Sequence, residues 1–204
     1  VCVLSDGGRV EHIGTVTTDQ EVLDLLPPGD AWVGIDASLR LPAGAGSRRC
    51  EAELRRRGIR VLPTDRAFYL RRYGGCRGEN LAGRLEELGY QYFGRGPRAL
   101  FEVYPHAALS ILTGGQVPRY KRGPRATRAA EAGRALDALL DWLPALEIDP
   151  RMLDGEGSDH RLDALVGAAL LYAHRLYGGE ATEAVGDDDD GHILLPRGER
   201  GHDR

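Results

Sequence analysis

Three acidic positions stand where a charge is out of place, and together they define the chemistry open to this sequence. Asp36 follows Ala31-Trp-Val-Gly-Ile and precedes Ala-Ser-Leu, so it leaves the C-terminal end of a run that reads as a strand buried on both faces. Sites in open α/β sheets form at such strand ends. A lone buried carboxylate is costly unless it is paired, hydrogen-bonded or on a metal. Asp36 therefore either caps the next turn, receives an arginine such as Arg40 or Arg49, or belongs to a site. Glu102 interrupts Leu100-Phe-Glu-Val-Tyr, and is either a site residue or the outward position of an edge strand. In Asp159-His-Arg-Leu-Asp163, the two aspartates fall one turn apart on one helix face, with His160 at i, i+3 from Asp163. Asp159 is readily explained as a helix cap. Asp163 is harder to dismiss, because it lies a turn inside an apolar helix. Carboxylates from two strands and a helix that converge would suit hard divalent cations, Mg²⁺ or Mn²⁺, and two such ions can clamp the attacking and leaving oxygens of a phosphodiester. Asp36, Asp159 and Asp163 are the expected ligands, with Asp36 and Asp163 roughly 4–8 Å apart. Glu102 would complete the site, and His160 could assist proton transfer.

The elements that must carry these residues alternate. Val1–Leu4 and Val10–Val16 flank Ser5-Asp-Gly-Gly and read as a hairpin. Thr18 caps a short helix over 21–26 that Pro27-Pro28 ends. The strand 31–37 follows, then a basic helix opened by Ser47 and closed by Gly58, and a short strand over 59–62. Residues 71–98 read as loop-rich around a helix near 81–88, and Leu100–Tyr104 as a strand stopped by Pro105. Residues 114–125 are Gly-, Pro- and Arg-rich and exposed. Thr127 is the expected cap of a helix to about Leu143, and Ser158 or Asp159 of a buried helix to Tyr177. His192–Leu195 reads as a last strand, and Asp187–Asp190 as a solvated acidic turn. The pattern is a mixed α/β sheet with helices on both faces.

The chain has 204 residues, 42% apolar and 28% charged, which fits one globular domain. No apolar run approaches the ~20 residues of a membrane-spanning helix. The three cysteines, Cys2, Cys50 and Cys76, make neither a CxxC pair nor a disulfide framework, and a reducing cytoplasm fits them better. No signal-peptide pattern precedes Val1-Cys-Val-Leu, which already reads as a strand, so part of the fold is expected to lie upstream. The net charge of −4 hides an asymmetry: residues 40–134 hold twenty Lys and Arg against eight Asp and Glu, and the remainder seven against twenty-three. A basic middle could meet nucleic acid, with Arg49, Lys121 and Arg122 as phosphate contacts beside Arg55–Arg57 and the Arg119–Arg128 segment. Against this, only one of the 27 basic residues is Lys, so the arginines also fit plain GC-rich composition. GxSxG, GxxxxGK[ST], HExxH and a dinucleotide fingerprint are all missing, so no dinucleotide cofactor is expected.

Taken in order, Gly34-Ile-Asp-Ala-Ser-Leu-Arg-Leu-Pro, Arg49-Cys-Glu, Leu54-Arg-Arg-Arg-Gly-Ile, Phe101-Glu-Val-Tyr-Pro-His, Tyr120-Lys, Leu162-Asp-Ala and Gly191-His-Ile-Leu-Leu-Pro resemble domain-of-unknown-function family 429. His160-Arg-Leu-Asp163-Ala is also similar to the last acidic motif of Holliday-junction resolvases. The resemblance implies an RNase H-like domain over 1–196 with a disordered tail at 197–204, and a metal-dependent nuclease. RNase H-like nucleases carry an essential aspartate on their first strand. Val1–Leu4 and Val10–Val16 look like the second and third strands, so that aspartate has no counterpart here. The alternatives are a non-catalytic nucleic-acid or protein binding module on the same scaffold, and a sugar-kinase-like phosphotransferase, whose phosphate-binding glycine loops the sequence does not show.

Overall fold

The computed structural model describes residues 1–42, 46–62, 64–155 and 157–198. Most of the expected tail, from 199 onward, therefore lies outside the described residues. The chain is mixed α/β, but among the described residues its strands lie in three separate small sheets rather than the one mixed sheet expected, and it falls into two compact units, each assembled from separated segments. The first unit takes Val1–Thr17, Pro105–Glu183 and the chain from Leu195; the second takes Thr18–Tyr104 and Ala184–Leu194. No helix among the described residues is long and apolar enough to cross a membrane.

In the first unit, β1 (Cys2–Leu4) pairs antiparallel with β2 (Val10–Ile13), three residues shorter than the expected strand. The hairpin turn depends on Gly8, whose φ is +80°. A Cβ there would stand 2.5 Å from the Ala145 carbonyl oxygen and 2.6 Å from the Tyr172 ring, so only glycine fits. Three helices of this unit are α5 (Pro105–Leu112), α6 (Arg125–Trp142) and α7 (Ser158–Tyr177). Pro105 does not merely stop the preceding strand. It is the first residue of α5, where its missing N–H costs nothing. The other two starts also differ from expectation. Pro124, not Thr127, precedes α6, and Gly157 at φ +74° caps α7 without help from Ser158 or Asp159. Asp159 sits instead in the first turn of α7, where a carboxylate meets the positive end of the helix dipole. As its composition predicts, α7 buries Leu162, Leu165, Val166, Ala169 and Leu170, and it packs on α5, α6 and β1.

In the second unit, β3 (Ala31–Ile35), β5 (Arg98–Glu102) and β4 (Gln91–Tyr92) form a parallel sheet in the order β3-β5-β4. Ile35 stands opposite Glu102 across the ladder. β3 is thus an edge of its sheet and only half-buried, not covered on both faces. Thr18 caps α1 (Asp19–Asp24) in a reciprocal capping box with Glu21. The basic helix α2 spans Arg49–Arg56, preceded by Arg48 rather than opened by Ser47. Residues 59–62 form no strand, and α3 (Arg66–Tyr73), an element not expected from sequence, follows and runs into the stretch from 71 read as loop. α4 (Arg77–Glu87) presses Leu81, Ala82 and Leu85 into a core with Leu39, Tyr90 and Leu100. Finally β6 (Thr182–Asp187) and β7 (Gly191–Pro196) make an antiparallel hairpin turning at 188–190; the solvated turn expected over 187–190 holds for Asp188 and Asp189, whereas Asp187 ends β6 and both Asp187 and Asp190 are half-buried. The tip of this hairpin belongs to the second unit and its ends to the first.

Candidate functional site

The second unit holds its charged chemistry inside. Glu102 ends the central strand β5 and is 3% exposed, which removes the edge-strand reading. Both of its oxygens are engaged by one guanidinium: Arg48 Nη2 donates to Oε1 at 2.6 Å and Nη1 to Oε2 at 2.8 Å. The Leu39 amide donates to Oε2 at 2.9 Å. On its other side Arg48 donates from Nε to Glu51 at 2.9 Å, and the Thr64 amide also reaches Glu51, at 3.0 Å. Arg48, Glu102 and Glu51 form a buried triad of one cation and two acids, 2%, 3% and 0% exposed. Burial pushes the Glu102 carboxyl above the usual carboxylate range, against the opposing pull of Arg48 and the Leu39 amide.

Beside the triad lies an open cavity of about 210 Å³. Asp36 lines it, as do Arg48 and Glu102, four hydroxyl-bearing side chains (Ser38, Thr64, Tyr69 and Tyr104) and several apolar ones. Asp36 is the first residue after β3 and is exposed rather than buried. Of the two arginines named for it from sequence, Arg40 pairs with Glu86, and Arg49 with Asp187 at 2.9 Å. Ser38 and Thr64 share a hydrogen bond of 3.1 Å, and the Tyr104 hydroxyl donates to the Arg60 carbonyl at 2.9 Å. Burial, and then the Asp36 charge, push the Tyr104 phenol above its ordinary value; burial does the same to Tyr69. Both phenols are therefore neutral donors at physiological pH.

Asp163 belongs to the first unit, and Asp36 and Glu102 to the second. Asp163 is 8% exposed on α7. It accepts from the Tyr120 hydroxyl at 2.7 Å on one oxygen and pairs with Lys121 Nζ at 2.5 Å on the other. Lys121, expected on phosphate, is thus committed to Asp163. Asp159 is half-buried, and His160 is exposed one residue further on. Arg122 is exposed. Arg49 is exposed too, with its backbone amide on Asp190 at 3.1 Å as well as its ion pair.

The donors around Asp36 are oxygens, the type taken by the Mg²⁺ or Mn²⁺ that the resemblance implies. One hard cation fits. A carboxylate and neighbouring hydroxyls are oxygen donors, and Mg²⁺ keeps several waters of its own. Glu102 is not available as a second carboxylate without giving up Arg48. Among the described residues, no group of three His, Cys, Asp or Glu is placed to hold a metal ion. Sequence reasoning missed Arg48 and Glu51 by choosing the neighbouring Arg49. The available signal was their i, i+3 spacing at a helix start, which lets the Glu51 carboxylate reach back to the Arg48 backbone N–H at 3.3 Å and to its guanidinium at 2.9 Å.

Among curated proteins and among solved structures, nothing matches the chain. One family model does, over residues 1–190, and its description is "Protein of unknown function (DUF429)". That match takes in most of both units and every candidate site residue, from Asp36 to Asp163. The chain belongs to the DUF429 family.

Proposed function

We propose that this protein is a metal-dependent phosphodiester hydrolase acting on nucleic acid, built on an RNase H-like arrangement. The reading is carried by the charge of the cavity at the end of β3. Its lining sets one guanidinium, Arg48, against two carboxyl groups, Asp36 and Glu102, with Glu51 behind them. If Glu102 is ionised, the triad is net negative. If burial keeps Glu102 protonated, the triad is neutral. In neither state does the triad set net positive charge against Asp36, so the cavity favours a cation. Asp36 would hold that cation, with water and phosphate oxygens in the remaining positions. When bound, such an ion supplies Lewis acidity toward a phosphoryl oxygen.

The chain's own residues do the positioning. Arg48 and Glu102 hold the Leu39 amide and so fix the loop that follows Asp36. Ser38, Thr64 and Tyr69 line the same cavity with neutral hydroxyls that would meet a bound phosphate, while the Tyr104 proton stays on the Arg60 carbonyl. The RNase H-like reading draws support only from element order, an antiparallel hairpin followed along the chain by parallel strands and helices, since the hairpin and the parallel strands form separate sheets among the described residues. A second reading, a non-catalytic nucleic-acid binding module, draws support from Glu102 and Asp163 already being neutralised by Arg48 and Lys121. Cleavage assays with Mg²⁺ or Mn²⁺ on single-stranded, duplex and branched substrates separate the two. Because the first-strand aspartate of RNase H-like nucleases has no counterpart in residues 1–204, hydrolysis by them is expected to be weak at most and to be lost in Asp36→Asn, with Asp163→Asn reporting whether α7 takes part. Binding of these substrates without cleavage under either ion would favour the module instead.

A further inference from the structure

Helix α3 departs from the usual rule for a helix in a folded protein: none of its residues is buried. Phe68 is 42% exposed, Leu70 53% and Tyr73 66%, with Leu62 nearby in sequence at 77%. The helix is nonetheless well made. Asp65 caps it through the Ala67 and Phe68 amides, and Gly74 at φ +71° closes it. Its aromatic rings are gathered rather than scattered. Phe68 and Tyr69 lie 6.0 Å apart between centroids, Phe68 and Tyr73 6.1 Å, and Tyr69 and Tyr73 5.8 Å. The Arg72 guanidinium stands over the Tyr73 ring at 5.6 Å.

The charge around these rings is of one sign. No acidic residue occurs between Asp65 and Glu79, whereas Arg66, Arg71, Arg72 and Arg77 do. Arg66 is spent on Glu79 and Arg77 on Asp19. Arg71 and Arg72 are exposed and have no carboxylate partner among the described residues. An apolar protein partner would account for the rings but not for the unanswered arginines. A duplex would account for the arginines, but its base faces are stacked inside and cannot meet the rings. A single strand offers π faces and phosphates together. Tyr69 belongs both to this cluster and to the lining of the Asp36 cavity, so a strand lying on α3 leads to that cavity.

We infer that α3 is a stacking platform for single-stranded nucleic acid, with Phe68 and Tyr73 taking bases and Arg71 and Arg72 taking phosphates. This deepens the hydrolase reading and rests on it only for the direction in which the strand runs, because binding is measured without catalysis. The test is fluorescence anisotropy of the full chain with labelled DNA and RNA single strands of about 12 nucleotides, in EDTA, against a blunt duplex of equal length. Single strands are expected to bind more tightly than the duplex. Phe68→Ala with Tyr73→Ala should weaken that binding about 10-fold or more, with little change in its salt dependence. Arg71→Gln with Arg72→Gln should flatten the log–log salt slope by about 1.4, near 0.7 for each lost phosphate contact. Phe68→Trp should retain binding and report it by quenching of the new indole, which separates a stacking role from a folding role. Equal binding of duplex, unchanged affinity without the two rings, or no binding at low salt would each overturn the inference. Asp36→Asn is expected to bind the single strand normally, so a failure at α3 and a failure of hydrolysis are read from different variants.

Discussion

At the scale of single residues, the triad governs what the second unit tolerates. Arg48 is the one cation between two buried acids, so removing it strands both. Arg48→Met should cost about 3–5 kcal/mol of stability, the range for breaking a buried pair from one side. Arg48→Met combined with Glu102→Leu should be the less damaging change, because no lone carboxylate then remains on β5. Urea unfolding of the two variants checks the order; a double variant weaker than the single would show that Arg48 acts through packing instead. The same residues mark the limits of the sequence reading. Asp36 and Asp163 were legible as unusual because each interrupts an apolar pattern. Their surroundings were not, since the partners of Asp163 lie 43 and 42 positions away and the Glu102 partner 54. Such pairings are set by tertiary packing, to which no local spacing points.

At the scale of elements, legibility followed burial. α7 and α6 were readable because buried faces repeat at helical spacing, and α1 because Thr18 and Glu21 spell its cap. α3 was missed because its apolar side chains face solvent, so they trace no buried stripe. β6, Thr-Glu-Ala-Val-Gly-Asp, was missed because it is too polar and too glycine-rich to resemble a strand. Pro105 was read as an end because proline stops strands, yet at the first helical position it is equally at home. Two substitutions probe element boundaries. Thr18→Ala should lose about 1 kcal/mol through the lost capping box. Gly8→Ala should be worse, because it adds a Cβ against the Ala145 carbonyl and forces a left-handed φ on alanine. Thermal melts should rank them in that order, and an unaffected Gly8→Ala would mean the β1–β2 turn can relax.

At the scale of the whole molecule, several buried groups share one direction of titration. Burial pushes the Cys50 thiol up to about 12 and lifts the Tyr92, Tyr69, Tyr90 and Tyr104 phenols above their ordinary values. These groups hold their protons in the folded state at pH values where the unfolded chain has lost them. Their contribution is fully present below the unfolded values and is lost as pH rises toward the folded ones. Stability should therefore fall from about pH 9 upward, by as much as about 1.4 kcal/mol per pH unit for each group still protonated only in the folded state. Urea midpoints measured at about pH 8 and 10.5 check this, and Cys50→Ala should make the decline shallower. A flat profile would show that these side chains reach water more readily than their burial indicates.

The interleaving of the two units has a consequence for how the chain is made. Neither unit is a continuous stretch: the first needs Val1–Thr17 together with Pro105–Glu183, and the second needs Ala184–Leu194 to join Thr18–Tyr104. During synthesis the β1–β2 hairpin emerges ahead of α7, its main packing partner, and must wait for it while Thr18–Tyr104 of the second unit passes out of the ribosome. The β6–β7 hairpin, shared by both, arrives after the other elements described here. Partly made chains thus hold apolar strand and helix faces without their partners, the condition under which nascent proteins call on chaperones. Contacts between such distant segments also make for slow folding, so refolding from denaturant should be slow for a chain of this length.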